Sequence, residues 1–573
     1  MQTSDLESLN FNTALNVNYE ILPGLKIGAN MGYNRNTGKE HSTNPSTAQN
    51  PSYVSISAAF ANTSAQNINI DPQINYNKTI GKGQLTALLG GTYQKTTTYA
   101  FQTYAYGYSN DAFLGSINGS SSQYPFEVSN LNKYVALFGR LKYIHDQKYI
   151  IEFSGRRDGS SNFGPGNQFG TFGSVGAGWI FSEETLFKNA LPFISFGKLS
   201  GSYGTTGSDA STGYKFQALY SAFPYGNTTP FQDIKQNIPL NLYNPDFKWA
   251  TKKSINVAID LGFFDNRLSL NATYYRDREG DQLVEYPLAA QAGFATVFEN
   301  QPAVVQNKGW EFTLSSTNVR GKDFTWTSNF NISFNRNKLL SFPNLESSSY
   351  TSQYVIGQPT TVVFGYKYAG VNPTTGLFEF YKADGTVSSS PDYRPVAQGG
   401  DQIIIGNRDA KFMGGFGNNF TYKNFSLYVF CQFSSSIQPN AISSLYNNPP
   451  GFASNLPTYV LGKYWTGPGD NGATLQRLTS SYNSQYLNSA YKFSQSTGAY
   501  TTDTYLRVKT AALSYKFPDA YVEKINIKSA SIFINAQNLF TITNYKFGDP
   551  EQPGNFNTFP LQRIVAFGLN LKF

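Results

Sequence analysis

Apolar and polar residues alternate with a period of two along much of this chain. Ile255, Val257, Ile259, Leu261 and Phe263 alternate with Ser254, Asn256, Ala258, Asp260 and Gly262. Phe324, Trp326, Phe330, Ile332 and Phe334, with Ser328 in phase, alternate with Thr325, Thr327, Asn329, Asn331, Ser333 and Asn335. Leu15, Val17 and Tyr19 repeat the pattern, as do Ile27, Ala29, Met31 and Tyr33, and Leu268, Leu270, Ala272 and Tyr274. Successive side chains of a strand point to opposite faces, so each segment predicts a strand with one apolar face. A soluble sandwich also alternates. Three features select a transmembrane antiparallel β-barrel instead. The segments run about 10–13 residues, against a usual mode of 5–6. Their polar faces are Asn, Ser, Thr, Gly and Gln, which suits a hydrated lumen. Aromatics gather near segment ends, where the girdles of an outer-membrane barrel sit.

The connections predict the topology. Short ones fall at Glu20–Gly24, Thr79–Lys82, His145–Gln147, Phe264–Asn266, Val319–Lys322 and Lys423, with medium ones at Ser182–Pro192 and Pro518–Asn526. Long ones fall near 36–65, 97–132, 158–168, 206–252, 278–306, 336–410, 436–503 and 538–562. Barrels of this kind have short periplasmic turns and long extracellular loops. Thr361–Ala369 also reads as a strand, but a crossing there would break the alternation of short and long connections. It is placed in an extracellular excursion. The count is then about seventeen crossings, each near the ~9–11 residues that a tilted membrane strand needs. The last strand places the C-terminus in the periplasm.

Composition narrows the classes. Among 573 residues, 14% are charged and 16% aromatic. An ordinary soluble protein is about 25% charged, and a disordered one is poor in aromatics. Uninterrupted apolar runs such as Leu427 to Cys431 fall far short of the ~18 residues of a membrane helix. The net charge of +8 is spread without a basic block, so no nucleic-acid partner is expected. Two histidines and one cysteine allow neither an intrachain disulfide nor a Cys/His zinc cage. Met1 to Glu7 shows no signal-peptide pattern.

Candidate chemistry is sparse. No paired carboxylates, Ser-His-Asp set or metal cluster emerges, so the chain does not read as an enzyme, and no cofactor is expected. Asp277, Glu279 and Asp281 cluster at a loop start and are oxygen donors of the kind calcium takes. A solvated acidic loop accounts for them better, and Asp549 and Glu551 read the same way. Gly173, Gly176 and Gly178 lie in a strand and read as close-packing positions. Cys431 shares an apolar face with Leu427, Val429 and Phe433 and reads as a small lipid-facing hydrophobe. The chain ends in alternating Val565, Phe567, Leu569, Leu571 and Phe573. That terminal aromatic strand reads as the signal by which the barrel-assembly machinery inserts outer-membrane proteins.

Several motifs carry a family resemblance. Tyr134 to Gly164 contains FGR, KY and RRDGSS in order; Lys198 to Gly207 reads KLSGSYGTTG; Val304 to Glu311 reads VVQNKGWE. Tyr505 to Pro518 reads YLRVKTAALSYKFP, Gln537 to Tyr545 reads QNLFTITNY, and Gly548 to Glu551 reads GDPE. Over nearly its whole length the chain resembles the SusC/RagA family of TonB-dependent outer-membrane transporters of Bacteroidetes. Ser208 and Ala410 stand where that family more often has Asn and Pro.

The resemblance implies an all-β barrel filled by a plug domain and energised through a TonB box by TonB, ExbB and ExbD. It implies a SusD-like surface lipoprotein as a lid, and oligosaccharides or peptides as substrates. Tyr350, Tyr354, Tyr446 and Tyr459, all in long loops, are candidates for stacking on sugar rings; packing against the lipoprotein would use them as well. The other readings are a surface-binding or adhesion barrel and a passive porin. The family barrel has about 22 strands, an even number. Seventeen crossings starting downward would make the first one the sixth. The expectation is a C-terminal portion whose plug and first strands lie upstream, and which does not form a working transporter alone.

Overall fold

The computed structural model describes residues 2–209, 213–221, 238–446, 456–480, 484–546, 548–554 and 559–573. Parts of the long loops expected at 206–252, 436–503 and 538–562 therefore lie outside the described residues. The chain divides into two compact units, one of 1–179, 202–254 and 279–302, the other of 180–201, 255–278 and 303–573.

The first unit is led by a meander of seven strands: β1 (Thr3–Leu22), β2 (Leu25–Asn44), β3 (Ser57–Ile80), β4 (Gly83–Tyr106), β5 (Ser122–His145), β6 (Tyr149–Ser160) and β7 (Phe169–Trp179). Each pairs antiparallel with the next. Gly24 at φ +85° and Gly81 at φ +56° close two of the turns. Left-handed backbone costs glycine little, because it has no Cβ.

In the second unit the strands Val304–Arg320, Phe324–Ser341, Phe412–Tyr422, Phe425–Pro439, Tyr500–Lys516, Ser529–Gln537 and Ile564–Lys572 pair antiparallel in succession. Three more strands, Ile194–Ser208, Ala250–Phe263 and Leu268–Gly280, contribute residues to both units. Among the described residues seventeen strands are nine residues or longer, as the sequence predicts. Every turn is tight where the short connections were expected; Phe264, Asp265 and Asn266 take φ of 53°, 57° and 59°, and Lys423 takes 50°. No helix among the described residues is long and apolar enough to cross a membrane.

Three expectations change. β1 to β5 run 20–24 residues, about twice the expected length. The loops expected near 36–65 and 97–132 shrink to 45–56 and 107–121. Beyond the crossing, both faces of these strands are rich in Ser, Thr, Asn and Ala, so the apolar period vanishes while the backbone ladder continues. The loop expected at 158–168 starts later: Gly159 still pairs with Val135 and Phe169 inside the sheet, and a Cβ there would meet the Phe169 ring. Helices were not expected, yet Ser484–Ser494 is helical, with Tyr486, Ser489, Ala490 and Phe493 buried on one side. The Thr361–Ala369 segment is strand, as expected, and stays out of the long sheet. Val362–Gly365 and Lys367–Val371 belong to small separate sheets with Ile403–Asn407 and Phe378–Tyr381.

Candidate functional site: a polar wall, an ionic clasp and a loop core

The first feature is the wall made by β1 to β4. Cross-strand partners share a face. Leu15, Met31, Ile70 and Tyr93 stand in one row across the four strands, and Tyr19, Ile27, Ile74 and Leu89 in another. This is the apolar face, and exposed side chains such as Leu15 at 57% and Leu89 at 51% fit contact with lipid. The opposite face carries Asn12, Asn34, Asn67 and Thr96 in one row, with Asn16, Asn30 and Asp71 in a second.

The amides on this face bond to one another. Asn16 donates to Asn30, Asn34 to Asn12, and Asn18 to Asn16. Asn12 Nδ2 donates to Asn10 Oδ1 at 2.9 Å, and Thr92 Oγ1 to Asp71 Oδ1 at 2.8 Å. An amide ladder of this kind, with the Asp71 carboxylate in its second row, offers donors and acceptors to water and to neutral polar solutes.

The second unit repeats the division. Leu314, Phe330, Phe416 and Cys431 share a face, and Thr313, Asn331, Gly415 and Gln432 share the other. Cys431 is on the expected apolar face, but at 5% exposure it is covered by neighbouring chain and does not stand out toward lipid.

The second feature is a buried ionic clasp. Arg507 Nη2 lies 2.5 Å from Asp549 Oδ1, Arg507 Nη1 lies 3.4 Å from Glu551 Oε2, and Lys509 Nζ lies 2.6 Å from Glu551 Oε2. Arg507 Nε donates to Thr541 Oγ1 at 2.7 Å, and Asp549 accepts from the N–H groups of Glu551 and Leu561 at 2.9 and 3.0 Å. Arg507 and Asp549 are 2% and 6% exposed. Cys431 pairs with Val508 and Phe430 with Thr510, so Lys509 is the extra residue of a β-bulge. Bulges re-aim side chains, and this one frees Lys509 for Glu551. Asp549 and Glu551, read from sequence as a solvated or cation-binding loop, are consumed by ion pairing. The equal spacing of Arg507/Lys509 and Asp549/Glu551 is the signal that sequence reasoning missed.

The third feature is a core within the loops of the second unit. Tyr366, Phe378, Phe380, Leu445, Tyr446, Val460, Leu475, Ala490, Phe493 and Ala499 form one buried cluster. Phe378 stacks on Phe493 at 4.1 Å, and Tyr446 meets Phe493 edge-on at 5.2 Å. Lys492 Nζ donates to the Pro391 carbonyl at 2.5 Å and lies over the Tyr366 ring; burial holds its pKa below the usual lysine value. Burial likewise pushes the Tyr446 phenol well up.

The four candidate stacking tyrosines pack within two loop clusters. Tyr446 has no exposed surface, which leaves no ring face for a ligand, and Tyr459 packs against the same cluster. Tyr350 and Tyr354 contact each other at 5.7 Å and rest on Phe342 in a second cluster. Loop aromatics outnumber what the loop surface displays, because excursions of this length bury a core of their own.

Asp277 and Glu279 lie in the strand Leu268–Gly280, and Asp281 follows at φ 52°. Asp281 Oδ1 is 3.7 Å from Lys248 Nζ. Among the described residues no three His, Cys, Asp or Glu side chains gather as a metal-binding group. In the terminal strand Val565, Phe567, Leu569 and Leu571 pair with Ala536, Ile534, Ile532 and Ala530. Phe567 and Phe573 are 75% and 74% exposed, and a Phe573 main-chain oxygen accepts from Lys528 Nζ at 2.9 Å.

Comparison with known proteins agrees with this architecture. The family model for the TonB-dependent receptor-like β-barrel matches residues 1–539. TonB-dependent receptor P3 of Formosa agariphila is 27% identical, over 97% of this chain and 57% of its own length. TonB-dependent receptor SusC of Bacteroides thetaiotaomicron is 23% identical, over 88% of this chain and 50% of its own. The chain thus spans about half the length of the curated relatives it matches. A chain of the RagAB peptide transporter superposes with a TM-score of 0.86 at 24% identity, over all of this chain and 62% of that one, which shows a shared fold.

Proposed function

The chain belongs to the TonB-dependent receptor-like β-barrel family, and from that premise we propose that it is the barrel portion of an outer-membrane active transporter. The family match over residues 1–539 carries this reading. The amide-lined face of β1 to β4 supports it, since a solute path needs polar partners. In this reading the whole protein imports oligosaccharides or peptides, draws its energy from TonB, ExbB and ExbD, and works with a SusD-like lipoprotein at its outer mouth. The barrel-assembly machinery inserts it into the outer-membrane lipid, with the C-terminus in the periplasm.

The test is uptake in cells carrying the whole gene. Labelled oligosaccharides and peptides are offered to wild-type cells, to cells without TonB, and to cells without the neighbouring lipoprotein. Accumulation that needs both TonB and this protein is expected. Accumulation that persists without TonB would mean a passive porin. Surface binding with no accumulation would mean an adhesin.

A further inference from the structure

Tyr446 is closed to any ligand, and the upper wall of the first unit presents stacking surface of its own. Tyr104 is the twenty-second residue of β4, counted from Gly83. A membrane crossing uses about 9–11 residues of a strand, so Tyr104 stands about ten residues beyond it. Tyr104 pairs with Tyr124, and Gln102 with Phe126, on the face continuous with the amide ladder. Tyr104, Tyr106, Tyr124 and Phe126 are 44%, 40%, 61% and 46% exposed.

Most neighbouring positions on that face are small. Ala59 pairs with Tyr104, Ala61 with Gln102 and Ser57 with Tyr106, while Ser42 and Gly38 follow on β2 with Glu40 between them, opposite Ala61. Aromatic side chains thus border a floor of short ones. The hollow at its top, about 440 Å³, is lined by Ser4, Ser42, Asn44, Ser57, Tyr104 and Tyr106 among others, and no charged residue lines it. From Gln84 to Tyr106 the same face of β4 carries Gln, Thr, Leu, Gly, Ala and Tyr, with no charge.

The opposite face of the same wall is covered. Ala58 and Ala105 are buried under Tyr108 and Leu114 of the segment that follows β4. His41 on that side stacks on Phe60 at 4.6 Å and bonds through Nε2 to the Leu114 carbonyl at 2.9 Å. Within these residues one side of the wall is packed and the tyrosines on the other are exposed.

We infer that the face of Tyr104, Tyr106, Tyr124 and Phe126 is a stacking subsite for a neutral oligosaccharide. Aromatic rings beside uncharged hydroxyl and amide groups match the alternating C–H faces and hydroxyls of a sugar chain. The charged residue on that face of β2 is an acid, Glu40, so an anionic ligand would find no counter-charge. This deepens the transporter reading and rests on it, by naming the ligand class and where it is met above the membrane.

The experiment uses the whole purified transporter. Titration calorimetry is run with α-1,4- and β-1,4-linked glucose hexasaccharides, a β-1,4-linked xylose hexasaccharide, a hexagalacturonate and a neutral hexapeptide. At least one neutral hexasaccharide is expected to bind, tenfold or more weakly in Tyr104→Ala and in Tyr124→Ala, and within about threefold of wild type in Tyr104→Phe. No binding of any neutral hexasaccharide, or binding that ignores the alanine variants, overturns the inference. So does loss of lipoprotein capture with sugar binding unchanged, which would make the face a protein contact. TonB-dependent uptake of a peptide or hexagalacturonate, unaffected by either alanine variant, overturns it while leaving the transporter reading intact; absence of any TonB-dependent uptake counts against the transporter reading itself.

Discussion

Arg507 and Asp549 lie 42 positions apart in the chain, and Arg507 Nη2 approaches Asp549 Oδ1 to 2.5 Å in a site nearly closed to solvent. The pair ties the loop after the strand Ser529–Gln537 back onto the strand Tyr500–Lys516. Removing one member of a buried pair leaves the other charge uncompensated, at a cost of about 3–5 kcal/mol. Arg507→Met, which strands Asp549, is therefore expected to lower the thermal midpoint of the whole protein clearly, as read by heat-modifiable gel mobility. Lys509→Met, at a less buried site, should cost less. An unchanged midpoint in Arg507→Met would mean the clasp is not holding the loop.

The two faces of the strand Phe324–Ser341 give a second prediction. Phe330 pairs with Leu314 and Phe416 on the apolar face, and Asn331 with Thr313 and Gly415 on the polar one. Arginine on a lipid face near the bilayer midplane costs about 2–4 kcal/mol. Phe330→Arg should destabilise by that amount in refolding titrations into lipid, and Asn331→Arg by much less. Equal costs would refute the assignment of lipid and lumen faces.

Assembly is a third. If the terminal aromatic strand is the insertion signal, Phe573→Ala should reduce the amount of whole protein in the outer membrane, measured by immunoblot of sucrose-gradient fractions. A short extension after Phe573 should do the same. Normal abundance of both variants would dismiss the signal.

Acidity supplies a fourth. Arg394 bonds the Asp392 carboxylate through Nη2 at 2.7 Å and, with its own backbone N–H, holds that carboxyl down to about 2. A depressed carboxyl stabilises the fold above its ordinary value, near 4, and the contribution fades as pH falls from there through about 2. Carbon-13 NMR of Asp392 should show a midpoint near 2 in wild type and a higher one in Arg394→Ala. A midpoint at the ordinary value in both would show that the pairing does not persist in solution.

Much of this protein is legible along the chain. Period-two alternation in segments such as Ser254–Phe263 and Phe324–Asn335 dictates strands with one apolar face, and polar Asn, Ser and Thr on the other face dictate a hydrated side. These are local consequences of side-chain chemistry and strand geometry, so sequence suffices. Tight turns at Phe264–Asn266 and Lys423 follow for the same reason. The tertiary structure decided what depends on distant partners. β1 to β5 continue past the apolar pattern because each ladder is completed by its neighbour and not by its own residues. Tyr446 is a core residue because Phe378 and Phe493, far from it in sequence, close over it. Asp549 is an ion-pair partner and not a loop acid because a bulged strand brings Arg507 and Lys509 against its loop. Tyr104 and Tyr124, unremarkable among 40 tyrosines, become a shared exposed face only when β4 and β5 align them, since register is a property of two strands and is written in neither alone.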